Sequence, residues 1–217
     1  MIRIVIVDDH DLVREGIRAL LEQDPIFQVV GETGDGQEAI RMATRLRPDV
    51  LLMDVSLPGG IGGLEATEAI VADCPGVKVI ILTQYEHREY IKRAIRIGAR
   101  GYLLKRSVAA QLKDAIKTVY QGQRYLHPAA AEELADLVAT GTSLEEDEYD
   151  RLTPREKQVF KLLAEGKTSR DIAKYLTISL KTTMTHRTNL MAKLNMHSRA
   201  ELIRYAIRKA IISLEGP

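Results

Sequence analysis

Five short apolar runs punctuate the first part of the chain: "IRIVIV" (2–7), "FQVVGE" (27–32), "VLLM" (50–53), "VKVIIL" (77–82) and "GYLLK" (101–105). Runs of this length that are apolar on both faces are expected of strands buried in a parallel sheet. Between them, apolar residues recur at spacings of three and four, the period of a helix with one buried face. Leu12, Ile17, Leu20 and Leu21 mark the first helix, and Ala39, Ile40, Ala43 and Leu46 the second. Leu64, Ala66, Ala69 and Ile70 mark the third, Ile91, Ala94, Ile95 and Ile97 the fourth, and Leu112, Ile116 and Val119 the fifth. Five β-α repeats with short connections predict an α/β fold, a parallel five-stranded sheet with helices on both sides, ending near Gly122.

From residue 151 the pattern is helical throughout, with clear start and stop signals. "TPRE" offers Thr153 as N-cap, Pro154 at the first helical position and Glu156 to close a capping box. Gly166 ends that helix, and a short second one follows Thr168 or Ser169. A turn at 177–179 leads into a third helix over roughly 180–194, which Asn195 stops. "SRAE", with Ser198 and Glu201, is expected to form a second capping box that opens a fourth. Between the two parts, residues 128–142 are expected to form a helix and "SLEEDEYD" (143–150) a charged linker. The expected division is 1–122, a linker over 123–150, and a smaller all-α four-helix domain over 151–217.

Charge sharpens this division. The net charge of +1 hides an acidic front and a basic back. Residues 1–150 carry 17 Lys and Arg against 25 Asp and Glu, a net of −8, whereas residues 151–217 carry 14 against 5, a net of +9. A small basic helical domain points to nucleic acid. The single cysteine, Cys74, excludes an internal disulfide and fits a reducing compartment. No apolar stretch approaches the ~20 residues needed to span a bilayer, and the N-terminus lacks a signal-peptide pattern. A cytoplasmic protein with no membrane partner is expected.

The polar residues at the strand ends carry the candidate chemistry. Asp8 and Asp9 follow the first strand, Asp54 the third, Thr83 the fourth and Lys105 the fifth. In an open doubly wound sheet those ends form the binding crevice. A single strand-end aspartate is most simply a turn former; five polar groups at the same edge are hard to explain that way. Three carboxylates brought together repel one another and call for a compensating cation, and all-oxygen ligation suits Mg2+. Lys105 adds a fixed positive charge and Thr83 a hydroxyl, a set able to hold a transferred phosphoryl group. Asp54, at the mouth of the glycine-rich loop in "VLLMDVSLPGGIGG", is the expected acceptor.

These motifs, "VDD", "MDVSLPG", "LT" and "GYLLK" at their spacings, resemble those of a response-regulator receiver domain, a flavodoxin-like (βα)5 fold. "LTPREKQVFKLLAEGKTSRDIAKYLTIS" resembles a LuxR-type helix-turn-helix. Together they resemble the NarL/FixJ family of two-component regulators over nearly the whole chain. The resemblance implies that Asp8 and Asp9 bind Mg2+ with Asp54, the Ser56 backbone carbonyl completing the protein ligands. It implies that Thr83 and Lys105 contact phosphoryl oxygens and that Tyr102 is an aromatic switch that repacks when Thr83 moves. The implied donor is a phosphohistidine on a sensor histidine kinase, and the implied outcome is a homodimer that binds promoter DNA and regulates transcription. The chain departs from the family at Gln84, where a small residue is common after the threonine, and at Arg106, where proline is common after the lysine.

On the third tail helix, Thr183, His186, Leu190 and Leu194 form the expected core stripe, with His186 a packed structural residue. Lys181, Met184, Thr185, Thr188 and Ala192 form the opposite stripe, compatible with a major groove. Arg187 and Lys193 flank it within reach of phosphates. The family usually carries lysine at the place of Met184 and valine at that of Thr183. The competing expectation is a phosphatase or phosphotransferase with an aspartyl-phosphate intermediate. That class wants a second acid two residues after the nucleophile, where this chain has Ser56. The glycines of "GGIGG" follow no G-x-G-x-x-G or Walker pattern, which removes a nucleotide-binding fold.

Overall fold

The computed structural model describes residues 1–84, 88–128, 130–132, 135, 148–209, 211 and 212. The helix expected over 128–142 and the linker expected over 143–150 lie largely outside these residues. The chain divides into two compact units, one built on the sheet and one on the helical tail.

The sheet unit contains β1 (Ile2–Val7), β2 (Phe27–Thr33), β3 (Val50–Asp54), β4 (Lys78–Thr83), β5 (Gly101–Leu104) and β6 (Tyr125–Leu126). All pair in parallel, in the order β2-β1-β3-β4-β5-β6. β3 lies in the middle, and Val50, Leu51, Leu52 and Met53 are fully buried, as a strand covered on both faces requires. The helices are α1 (Asp11–Glu22), α2 (Gly36–Leu46), α3 (Gly63–Asp73), α4 (Arg88–Arg96) and α5 (Val108–Tyr120). Ile17 and Leu21 of α1 join Leu112, Ile116 and Val119 of α5 in one core with Ile4, Leu52, Ile80 and Leu103 of the sheet. Leu12 does not belong to that stripe: it is 81% exposed. Five positions before Ile17, it sits about 140° round the helix.

The sixth strand was not among the expected elements. Tyr125 and Leu126 pair with Gly101 and Tyr102, and two residues are too few to show a period. Their backbone groups satisfy an edge of β5 that would otherwise be open.

The tail unit contains α6 (Pro154–Ala164), α7 (Ser169–Tyr175), α8 (Leu180–Lys193) and α9 (Arg199–Arg208). Thr153 and Glu156 form the expected capping box, and Thr168 forms a second one with Asp171. The box expected at Ser198 closes differently: Ser198 accepts the Glu201 backbone N–H, but the Glu201 carboxylate reaches one residue further back, to the N–H of His197 at 2.8 Å. The core reaches into the segment expected as linker: a 3₁₀ turn over Glu148–Arg151 buries Tyr149. Its ring meets Phe160 edge-on at 5.3 Å, and Phe160 meets Tyr205 in the same way at 6.0 Å.

One glycine ties α3 to the end of β3. A Cβ on Gly63 would stand 1.8 Å from the carbonyl oxygen of Asp54, so only glycine permits this approach. Gly63→Ala should therefore cost about 3 kcal/mol, the upper end for overpacking, because the obstacle is backbone. Gly16, exposed within α1 with nothing within 4 Å of its Cβ position, is the control. Gly16→Ala should stabilise by ~1 kcal/mol, with both variants compared by urea unfolding of the full chain.

Candidate functional site

The strand order places the switch point between β1 and β3: the chain leaves β1 for β2 on one side and returns to β3 on the other. Asp8 follows β1, and Asp54 closes β3 directly beside it; both are buried. Lys105, which follows β5, lays its ammonium between them, 2.7 Å from Asp8 Oδ2 and 2.9 Å from Asp54 Oδ2. Thr83 closes β4 and is fully buried, and Tyr102 on β5 is 2% exposed. Ser56 is exposed, and its backbone N–H donates to Asp54 Oδ1 at 3.2 Å. Gln84 is exposed beside Thr83.

The loop that carries Asp8 and Asp9 is held on several sides. The Asp8 N–H donates to Thr33 O at 3.0 Å, and the Arg14 guanidinium donates to Asp8 O at 2.6 Å while pairing with Asp11. His10 was not among the expected site residues. Its backbone N–H donates to Asp8 Oδ1 at 3.0 Å, and its Nδ1 lies 2.8 Å from Asp9 Oδ1. One ligand atom from each of Asp8, Asp9, His10 and Asp54 falls within 4.8 Å of the others. The adjacency of His10 to two acids was the available signal.

Electrostatics record a shortage of positive charge here. Burial pushes the Asp54 carboxyl above its ordinary value; Lys105 opposes this, and the Asp8 charge reinforces it. Burial alone would lower Lys105, but the Asp54 and Asp8 carboxylates outweigh it and hold the ammonium above its ordinary value. Three carboxylates facing one ammonium suit a hard divalent cation, and the oxygen-rich donor set fits one.

In the tail, α7, the turn and α8 form a helix-turn-helix. Thr177 takes a left-handed conformation at φ 52° in the turn, and Arg155 of α6 donates to Leu176 O at 2.8 Å. Ser179 caps α8 through the Thr182 N–H. Thr183, Leu190 and Leu194 are buried and His186 half-buried, which is the expected inner stripe. Lys181, Met184, Thr185, Thr188 and Ala192 are exposed on the other side, and Arg187 is exposed beside them. Leu180 and Asn189 join that outer surface; Asn189 lies four positions after Thr185, so helical spacing marks it too. Lys193 is engaged elsewhere. Its ammonium lies 2.7 Å from Glu156 Oε2, pinning the end of α8 to the start of α6. Its place three positions after Leu190 was the signal. Burial would raise the Glu156 carboxyl, but Lys193 and Thr153 hold it below the ordinary range.

Comparison with known proteins finds two family matches. The response regulator receiver domain model matches residues 4–117, and the model for bacterial regulatory proteins of the luxR family matches residues 150–206. The oxygen regulatory protein NreC of Staphylococcus carnosus is 38% identical over 214 residues, covering 97% of this chain and 99% of that protein. The transcriptional regulatory protein LiaR of Bacillus subtilis is 39% identical over 214 residues, covering 98% of this chain and all of LiaR. Among solved structures, RcsB from Salmonella enterica serovar Typhimurium, bound to a promoter in the presence of the phosphomimetic BeF3−, aligns with a TM-score of 0.59 at 28% identity. That alignment covers 95% of this chain and 98% of RcsB.

The raised Asp54 value has a consequence for stability. The folded chain holds the Asp54 proton more readily than the unfolded chain does. Its contribution is therefore favourable at acidic pH and is lost as pH rises through the raised value. Asp54→Asn, which cannot ionise, should melt above wild type at pH 7, and the gain should shrink as pH falls toward about 4. Thermal melts of full-length protein check this, with roughly 2–4 °C expected per kcal/mol relieved.

Proposed function

We propose that this chain, which belongs to the response-regulator family and joins a receiver domain to a LuxR-family DNA-binding domain, accepts a phosphoryl group on Asp54 and thereby controls promoter binding. The observation that carries this reading is the ammonium of Lys105 bridging Asp8 and Asp54 at the switch point of the sheet. Asp8, Asp9 and Asp54 would hold Mg2+, with the Ser56 backbone carbonyl. When bound, the ion neutralises charge on the transferring phosphoryl group.

The remaining work falls to the chain itself. The Asp54 carboxylate is the nucleophile, held by the Ser56 N–H on one oxygen and Lys105 on the other. The phosphohistidine of a sensor histidine kinase supplies the phosphorus, and its imidazole leaves as the Asp54 O–P bond forms. Lys105 keeps Asp8 as a partner throughout, so it can follow the new negative charge without losing its own neutralisation. Phosphorylation adds about −1.5 to −2 charges. The Thr83 hydroxyl takes up a phosphoryl oxygen and draws on β4. Register and alternation put Tyr102 on the same face as Thr83, which supports a coupled movement of the ring. Homodimer formation in the cytoplasm follows, and the paired α8 helices meet two half-sites.

Lys181, Met184, Thr185, Thr188 and Asn189 are the proposed groove face, with Arg187 on phosphates. The Thr185 hydroxyl is bonded back to Lys181 O at 3.1 Å, which leaves its methyl for a thymine methyl. Lys193, held by Glu156, would reach a phosphate only from its exposed part; it is 39% exposed. The phosphatase alternative has no support among these relatives, one named an oxygen regulatory protein and the other a transcriptional regulatory protein.

The test is incubation of full-length protein with acetyl phosphate and Mg2+, followed by intact mass, sedimentation and DNA binding. Wild type should gain one phosphoryl group, self-associate and bind paired sites more tightly. Asp54→Asn or added EDTA should abolish the gain, and full modification of Asp54→Asn would overturn the assignment. Met184→Lys should tighten DNA binding and move the selected base opposite that position from thymine toward guanine. Selection at two salt concentrations checks this: a phosphate contact instead steepens the log–log salt slope by about 0.9 with no base change.

A further inference from the structure

Resting on the reading of Asp8, Asp9 and Asp54 as cation ligands, we infer that His10 is a further ligand, one that tilts the acid pocket from Mg2+ toward first-row transition cations such as Co2+. His10 Nδ1 lies 2.8 Å from Asp9 Oδ1 and 3.4 Å from Asp8 Oδ1. The four ligand atoms of Asp8, Asp9, His10 and Asp54 spread over no more than 4.8 Å. Opposite ligands of an octahedral ion stand about 4.2 Å apart with bonds near 2.1 Å, so shifts below 1 Å or so gather this set.

The ring also leaves an ordinary duty undone. His10 is the N-cap of α1, with extended φ −93° and ψ 113°, yet its side chain makes no capping hydrogen bond. N-cap side chains ordinarily satisfy free N–H groups of the first turn. This one turns to the carboxylates instead. Its backbone is anchored to Asp8 Oδ1, and the Arg14 guanidinium holds the Asp8 carbonyl, so the ring stands on a supported loop. The side chain is 57% exposed, so the ring has room to shift from its contact with Asp9 and present Nδ1 to a cation held by the carboxylates.

Mg2+ takes oxygen and keeps its waters, whereas Co2+ and its neighbours accept imidazole readily. A histidine that merely orients Asp9 would support every divalent ion alike. A histidine that ligates must discriminate among them.

The test uses full-length wild type, His10→Ala, His10→Gln and Asp9→Ala, each titrated with MgCl2 and CoCl2 by calorimetry. Pulsed electron paramagnetic resonance on the Mn2+-loaded wild type and His10→Ala proteins looks for directly bound nitrogen. Wild type should bind Co2+ more tightly than Mg2+, and His10→Ala and His10→Gln should each lose about tenfold or more in Co2+ affinity. Mg2+ affinity should change much less, and the nitrogen signal of wild type should vanish in His10→Ala. Equal losses for both ions, or no nitrogen signal in wild type, would overturn the inference while leaving the carboxylate site intact. Binding of either ion that is indifferent to Asp9→Ala would overturn the carboxylate site, and the inference with it.

Discussion

Two buried carboxylates at neighbouring strand ends share one ammonium, and the sheet unit is organised around that arrangement. Leaving Asp8 and Asp54 side by side without a cation would carry the full desolvation cost of both charges plus their repulsion. Lys105 offsets much of it by standing within 3 Å of each, from a strand two places away from β3. The strand order is what permits this: β1 and β3 must be neighbours and β5 must end at the same edge. Even so the balance is incomplete, because Asp9 adds a third carboxylate and Asp54 remains harder to ionise than an ordinary aspartate. A pocket short of positive charge has the chemistry that a hard divalent cation fits.

The close contact between α3 and Asp54 gives that pocket a mechanical link. Gly63 lets the helix start against the Asp54 carbonyl, and Glu65 in its first turn pairs with Arg93 of α4 at 2.7 Å. Helix α4 follows the strand that ends in Thr83. Asp54 and the two helices are thus linked through Gly63 and the Glu65–Arg93 pair, which gives a change at Asp54 a physical route outward.

The tail solves a different problem, that of presenting one helix face with no structural duty. Caps begin each of its helices, three aromatic rings fill the middle, and Arg155 and Glu156 of α6 hold the turn and the far end of α8. With Thr183, Leu190 and Leu194 inside, Lys181, Met184, Thr185 and Thr188 are left outward. That is why the outer surface can be specialised without loss of packing.

Much of this was legible in the chain. Apolar runs and helical spacing marked β1 to β5 and the tail helices, because burial imposes a period that survives in sequence. Caps were legible because they depend on residues three apart. Leu12 misled because an apolar residue in a first turn fits the count but not the angle. The two-residue β6 and the reach of Tyr149 into the tail core left no period at all. His10 beside Asp9, Gly63 against Asp54 and Lys193 on Glu156 are contacts set by distance in space. The sequence by itself determined which segments are strands and helices and which polar residues lie at strand ends, since these follow from local hydrogen bonding and periodicity. Only the tertiary structure decided which of those ends meet, because strand order and helix packing bring together residues that no local rule connects.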